Sequence, residues 1–173
     1  MKNWQSYLTQ KYADIRTRRN RKELNREVFS YPFPAKFVEN VIVVLPLDRN
    51  IGDSAMGLVQ KLRRHFTHWR FLVLNINRLS QDKLNRFKLP DDKFVNELKN
   101  NHFHLALDLN FDFDIRTAYL INMLKIPHRL HLTQQEGNYY NLVMPTNREN
   151  FQSFDYVLHS LANLFPLEKS EQE

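Results

Sequence analysis

Residues 48–53 (DRNIGD) crowd two carboxylates, an arginine and a glycine into one short turn. The turn follows an unbroken apolar run at 41–45 and Pro46, and precedes Met56, Val59, Leu62, Arg63 and Phe66 at helical spacing over 54–66. A strand buried on both faces, a glycine-bearing turn and an amphipathic helix make the opening unit of an α/β sheet. Such sheets bind ligands at the carboxyl ends of their strands, where this turn lies. Gly52 permits a tight turn or a close backbone approach, and the free N–H groups of the following helix suit an anion. Asp53 is a candidate general base facing the crevice. It is equally a candidate N-cap of the helix, and local pattern alone favours the cap. Neither G-x-G-x-x-G nor G-x-x-x-x-G-K-[ST] occurs, so the turn is neither a dinucleotide fingerprint nor a Walker A loop.

A second polar stretch, 108–114 (DLNFDFD), leaves an apolar run at 103–109. Its spacing approaches a calcium loop, but Phe113 takes the place of the required glycine and Tyr119 that of the closing glutamate, which excludes that reading. Asp112-Phe-Asp114 matches the Asp-x-Asp that holds a nucleotide-sugar metal ion in one glycosyltransferase fold. Three letters arise often by chance, and a helix cap from Asp112 or Asp114 is the plainer role. His102 and His104 would share one strand face and His128 and His131 flank another strand, without a third ligand at a matching spacing, so neither a metal nor a cofactor is expected. The absence of cysteine excludes disulfides and thiolate sites and fits a reducing compartment. G-x-S-x-G is missing, so no nucleophile elbow is expected.

The charge is concentrated near the N-terminus. Residues 1–40 hold nine Lys/Arg against four Asp/Glu, and the other 133 residues are nearly neutral. A helix over 3–29 is predicted, with Trp4, Tyr7, Leu8, Lys11, Tyr12 and Ile15 on an aromatic-rich face and Arg16, Arg18, Arg19, Arg21, Lys22 and Arg26 as a basic cluster. Two readings stand. The cluster meets phosphates on nucleic acid or anionic lipid, or the apolar stripe packs on the domain and the arginines are a solvated face.

These residues need elements to position them. Apolar runs at 41–45, 70–76, 103–109, 129–132 and 140–144 read as strands, and 54–66, 91–100, 114–125 and 151–165 as helices. The alternation predicts one doubly wound, mostly parallel, Rossmann-like sheet. The expected organisation is a basic helical arm and Pro-containing connector (1–34), an α/β domain (35–166) and an acidic tail (167–173). No apolar run is long enough to span a membrane, and the N-terminus lacks the apolar core of a secretory signal, so a cytoplasmic protein is expected.

The strand followed by LDRNIGDSAMGLVQKLRRHF resembles the start of the ADP-heptose:lipopolysaccharide heptosyltransferases, where a first strand leads into an Arg-containing Gly-Asp turn and a helix. Residues 103–132 are similar to that family's third strand, polar loop, Arg-Ser/Thr helix start and Pro-x-Arg approach to the fourth strand. Asp108, Leu109 and Asn110, then Arg116 and Thr117, then Pro127 to Arg129 occupy those places. Asn110 stands for the usual Gln, Phe111 for a Gly, and residues are inserted before Arg116. The resemblance covers about residues 41–165 and implies the N-terminal half of a GT-B glycosyltransferase, in bacteria. It implies Asp53 as the catalytic carboxylate, with Arg49, Gly52, Asn110 and Arg116 contacting a sugar or phosphate-bearing acceptor. A lone half is expected not to catalyse transfer by itself but to act with a partner supplying the donor. The alternative is a non-catalytic module whose residues 1–29 dock on a protein, nucleic acid or anionic membrane surface, peripheral to the inner membrane. Homo-oligomer formation through the crevice or a sheet edge is a further expectation.

Overall fold

The computed structural model of the chain describes residues 4–135, 137–146, 151 and 153–167. Its centre is a five-stranded sheet. The unbroken apolar run becomes β1 (Asn40–Val44), flanked by β2 (Arg70–Leu74) on one side and β3 (Leu105–Asp108) on the other, with β4 (His128–His131) and β5 (Leu142–Val143) beyond. The order is β2-β1-β3-β4-β5 and every pairing is parallel, with Val41 opposite both Phe71 and Leu105.

Alternate strand residues enter two cores, as the period of a strand requires. Val41, Val43, Leu105 and Leu107 pack with α2 (Gly52–His65) and α5 (Asp155–Leu164); Ile42 and Ala106 pack toward α3 (Asp92–Lys99) and α4 (Ile115–Met123). Helices therefore cover both faces, and the fold is a doubly wound, Rossmann-like α/β sheet. Two helix starts follow from short-range chemistry. Asp91 Oδ1 accepts from the Phe94 N–H at 2.7 Å, and Asp114 Oδ1 accepts from the N–H groups of Arg116 and Thr117 at 2.7 and 3.2 Å.

The N-terminal helix α1 (Trp4–Leu24) lies against α4. The expected end of this helix is corrected by the structure. The helix ends at Leu24 rather than near 29, because Asn25 turns away to hold the Arg129 guanidinium and the Asn138 carbonyl. Of the aromatic-rich face, Tyr12 packs on the domain, stacked on Phe87 at 4.2 Å, whereas Trp4, Tyr7 and Ile15 are exposed; the fully buried residues of the helix are Ala13, Thr17 and Leu24. Strand two is also shorter than its apolar run, ending at Leu74 before a helical turn over Ile76–Arg78. The last helix starts at Asp155; residues 147–150 and 152, and most of the acidic tail (168–173), lie outside the described residues.

Candidate functional site: the strand-end cleft

The sheet order defines where a crevice must open. From β1 the chain crosses one face to reach β2, and from β2 it crosses the other face to reach β3. The loops after β1 and β3 therefore diverge at the carboxyl edge. At that divergence the loops close on one another and leave a hollow of only about 30 Å³ bordered by Leu47, Ile51, Asn110 and Phe111. The roomier cleft, about 330 Å³, lies beside it on the same edge, between the loops after β1 and β2, and is lined by Leu45, Pro46, Gly52, Asp53, Met56, Asn75 and Arg78.

Asp53 sits in the first turn of α2 and is exposed. It does not cap the helix: the N-cap is Ile51, and no side-chain cap bond is made there. Among the described residues its carboxylate has no hydrogen-bond or ion-pair partner, and it shares the cleft with the equally unpartnered Arg78 guanidinium. The partial positive charge at the α2 N-terminus favours a carboxylate or a bound anion there. Gly52 is the first helical residue, and a Cβ built on it would meet nothing within 4 Å. The position is open because the cleft is open, and no left-handed turn requires a glycine.

The other residues implied by the resemblance are placed differently. Asn110 is buried: its Oδ1 accepts from the Leu47 N–H at 2.7 Å, and its Nδ2 donates to Asp108 Oδ1 at 2.6 Å. It thus ties the loop after β3 to the loop after β1. The Arg116 guanidinium donates to both oxygens of Asp114, at 2.6 Å from Nη2 to Oδ2, and to Asn77 Oδ1 at 2.9 Å. Arg49 opens a short helical turn, Arg49–Ile51, and its side chain is outside the described residues. The structure therefore brings Gly52 and Asp53 together in the cleft, with Asn110 and Arg116 committed to neighbouring protein groups.

Sequence reasoning missed Arg78 and Asn75. The available signal was position: both follow β2, and carboxyl ends of adjacent strands share one edge. It also missed a buried polar network at the carboxyl ends of β3 and β4. Asp108 Oδ2 accepts from the Tyr140 hydroxyl at 2.5 Å, and the wholly buried His131 Nε2, which has no hydrogen-bond partner, lies 3.9 Å from it. Burial pushes the Asp108 carboxyl above the usual range, against the opposing pull of His131, Tyr140 and Asn110. Among the described residues no cluster of three or more His, Asp or Glu is placed to hold a metal ion.

The basic cluster divides in two. Arg16 pairs with Asp92 at 2.6 Å and Arg19 with Glu23 at 2.9 Å, while Arg21 pairs with Asp14 at 3.2 Å, donates to the Gly137 carbonyl and lies over the Tyr139 ring. Among the described residues Arg18, Lys22 and Arg26 have no partner. With Arg21, Asn25 and Asn138 they border a groove of about 610 Å³ beside the 137–138 turn. No described helix is long and apolar enough to cross a membrane. Compared with protein-family models, curated proteins and solved structures, the chain matches none.

Proposed function

We propose that the chain is a heptosyltransferase-like, GT-B-type half-domain that holds a sugar- or phosphate-bearing acceptor in the strand-end cleft and contributes to sugar transfer only with a donor-binding partner. The observation that carries this reading is Asp53, a carboxylate that among the described residues makes no cap or ion pair and lines the cleft beside Arg78. In this role Asp53 takes the proton of the acceptor hydroxyl as its oxygen bonds to the anomeric carbon. The bond from that carbon to the nucleotide phosphate breaks, and the leaving phosphate keeps the electron pair. Arg78 and the N-terminus of α2 attract the acceptor's phosphate or hydroxyl groups. The cleft is open to solvent, and a nucleotide sugar must be shielded from water, so the facing half has to supply both donor and cover. Fold alone would not select this chemistry, since doubly wound sheets host many activities.

Amide chemical shifts followed during titration with a hexose phosphate test the reading. Shifts confined to 45–56 and 75–78 are expected, with Arg78→Ala weakening binding about tenfold through loss of a charge-assisted contact. Asp53→Asn should leave that affinity nearly unchanged yet abolish transfer in the presence of a donor-binding half. Absence of shifts at millimolar ligand, or transfer that survives Asp53→Asn, removes the proposal.

A second reading, a docking module acting through α1 and peripheral to whatever surface it meets, is favoured by one observation. Among the described residues Arg18 and Lys22 of α1, and Arg26 just beyond its end, are cations without partners along the groove beside the 137–138 turn.

A further inference from the structure

Helix α1 turns part of its apolar surface away from the body. The face against α4 carries Ala13, Thr17 and Leu24, and Asn20 Nδ2 donates to the Asn122 carbonyl at 3.1 Å. Trp4, Tyr7, Lys11, Ile15, Arg18 and Lys22 recur every three or four residues and so form one stripe on the opposite side. Trp4 is 71% exposed, Tyr7 50% and Ile15 67%, which puts three of the seven exposed large hydrophobic residues of the described chain on this single line. The Trp4 and Tyr7 rings stack at 5.8 Å, and the Lys11 ammonium lies 5.9 Å from the Tyr7 ring. No carboxylate belongs to the stripe. The nearest acids are engaged elsewhere, Asp14 with Arg21 and Tyr139, and Glu23 with Arg19 and Lys125.

Resting on the docking reading of α1, we infer that this outer stripe binds an anionic lipid bilayer. Trp4, Tyr7 and Ile15 enter the boundary between headgroups and acyl chains while Lys11, Arg18 and Lys22 pair with lipid phosphates. The chemistry of the stripe selects this occupant. A bilayer interface accepts aromatic rings and aliphatic groups beside cations, in one plane, and rewards both. From Trp4 to Lys22 the stripe runs about 27 Å along a single helix, a straight line suited to a planar surface. Nucleic acid would satisfy the cations but leaves the Ile15 side chain in water, and a protein groove would not need three unpaired cations among the anchors.

Vesicle binding tests this with the whole chain, using phosphatidylcholine vesicles with and without phosphatidylglycerol. Co-sedimentation only with the anionic vesicles is expected, together with a blue shift in tryptophan emission. That shift reports Trp4, because Trp69 is buried and stacked on Phe66 at 3.8 Å; Trp4→Phe should abolish it. Arg18→Glu with Lys22→Glu should abolish binding, each lost cation alone costing about fivefold. Trp4→Ser with Ile15→Ser should weaken binding about tenfold or more at unchanged charge, and circular dichroism would verify that these exposed substitutions leave the fold intact. Insensitivity to the Trp4 and Ile15 substitutions, or absence of the blue shift, overturns the bilayer inference. If vesicles fail and a short single-stranded oligonucleotide binds with dependence on Arg18 and Lys22, the bilayer inference falls while docking through α1 stands. Binding to neither defeats both.

Discussion

A carboxylate in the first turn of a helix is stabilised by the free N–H groups around it, and for that reason Asp so often folds back to cap them. Asp53 does not, because α2 begins one residue earlier at Gly52 and leaves its side chain to the cleft. The neighbouring glycine sharpens the argument. Gly52 has helical backbone and open space where a Cβ would stand, so alanine there should stabilise the free protein by about 0.4–1 kcal/mol through the entropy of the unfolded chain. If Gly52 is open so that a ligand can approach, Gly52→Ala should weaken hexose-phosphate binding while raising the melting temperature. Calorimetry and the amide titration read the two effects separately, and a gain in stability without loss of affinity would leave the glycine with no role at the cleft. The cap of α4 was legible in the sequence because Asp114 satisfies two N–H groups within three residues of itself. The fate of Asp53 was not, since a one-residue shift in helix start decides it. Asn110 and Arg116 were visible as polar residues near a strand end, but Leu47, which Asn110 holds, and Asn77, which Arg116 holds, come from loops that only the folded sheet brings close.

Among the elements, the strands and α2 to α5 could be read from period and length, with ends displaced by at most four residues. The orientation of α1 could not. Its apolar residues lie on more than one side, and the face it buries was chosen by packing against α4, which is itself buried along nearly its whole length. What fixes α1 in place is polar. Arg129 is fully buried without a carboxylate; its guanidinium donates to the carbonyls of Tyr139, Ile126 and Pro127 and to Asn25 Oδ1 at 2.6 Å, just past the end of α1. Burial lowers its pKa to about 10, so the cation survives at neutral pH. Arg129→Ala should cost about 3 kcal/mol or more, since it opens a large void and strands several buried acceptors. Lysine should not rescue it, because one ammonium cannot reach acceptors spread around a planar fork. Hydrogen exchange should show α1 loosening first. Equal destabilisation of every element with α1 still protected would assign Arg129 to the core rather than to the attachment of the helix.

At the scale of the whole molecule, the connector after α1 and the end of α5 close over the same edge of the sheet. The Phe33 N–H donates to the Leu164 carbonyl at 2.7 Å and the Ala35 N–H to that of Pro166 at 3.2 Å. Inside this seam His128 lies among Phe29, Tyr31, Phe33 and Phe165, with ring centroids 4.4–5.8 Å from its own, and its Nδ1 accepts from the Tyr31 hydroxyl at 2.7 Å. Burial lowers the His128 pKa to about 4, with the charges of Arg129 and His104 acting in the same direction; burial also raises Tyr31 to about 12, so Tyr31 remains neutral. The sign of the resulting pH dependence follows. Near pH 6.5 the unfolded chain begins to bind a proton that the folded chain refuses until about pH 4. The contribution of His128 is therefore full above pH 6.5 and is lost progressively as the pH falls through that interval. Stability measured by urea denaturation should decline on acidification from pH 7 to pH 4, and His128→Gln should remove the part of the decline that lies above the range where carboxylates titrate. The substitution lowers stability at pH 7 by loss of ring packing, so the diagnostic is the slope and not the midpoint. Parallel curves for the two proteins between pH 6.5 and pH 5 would mean that the seam admits a charged imidazole, and the closure of both chain ends over β4 would then be looser than its packing implies.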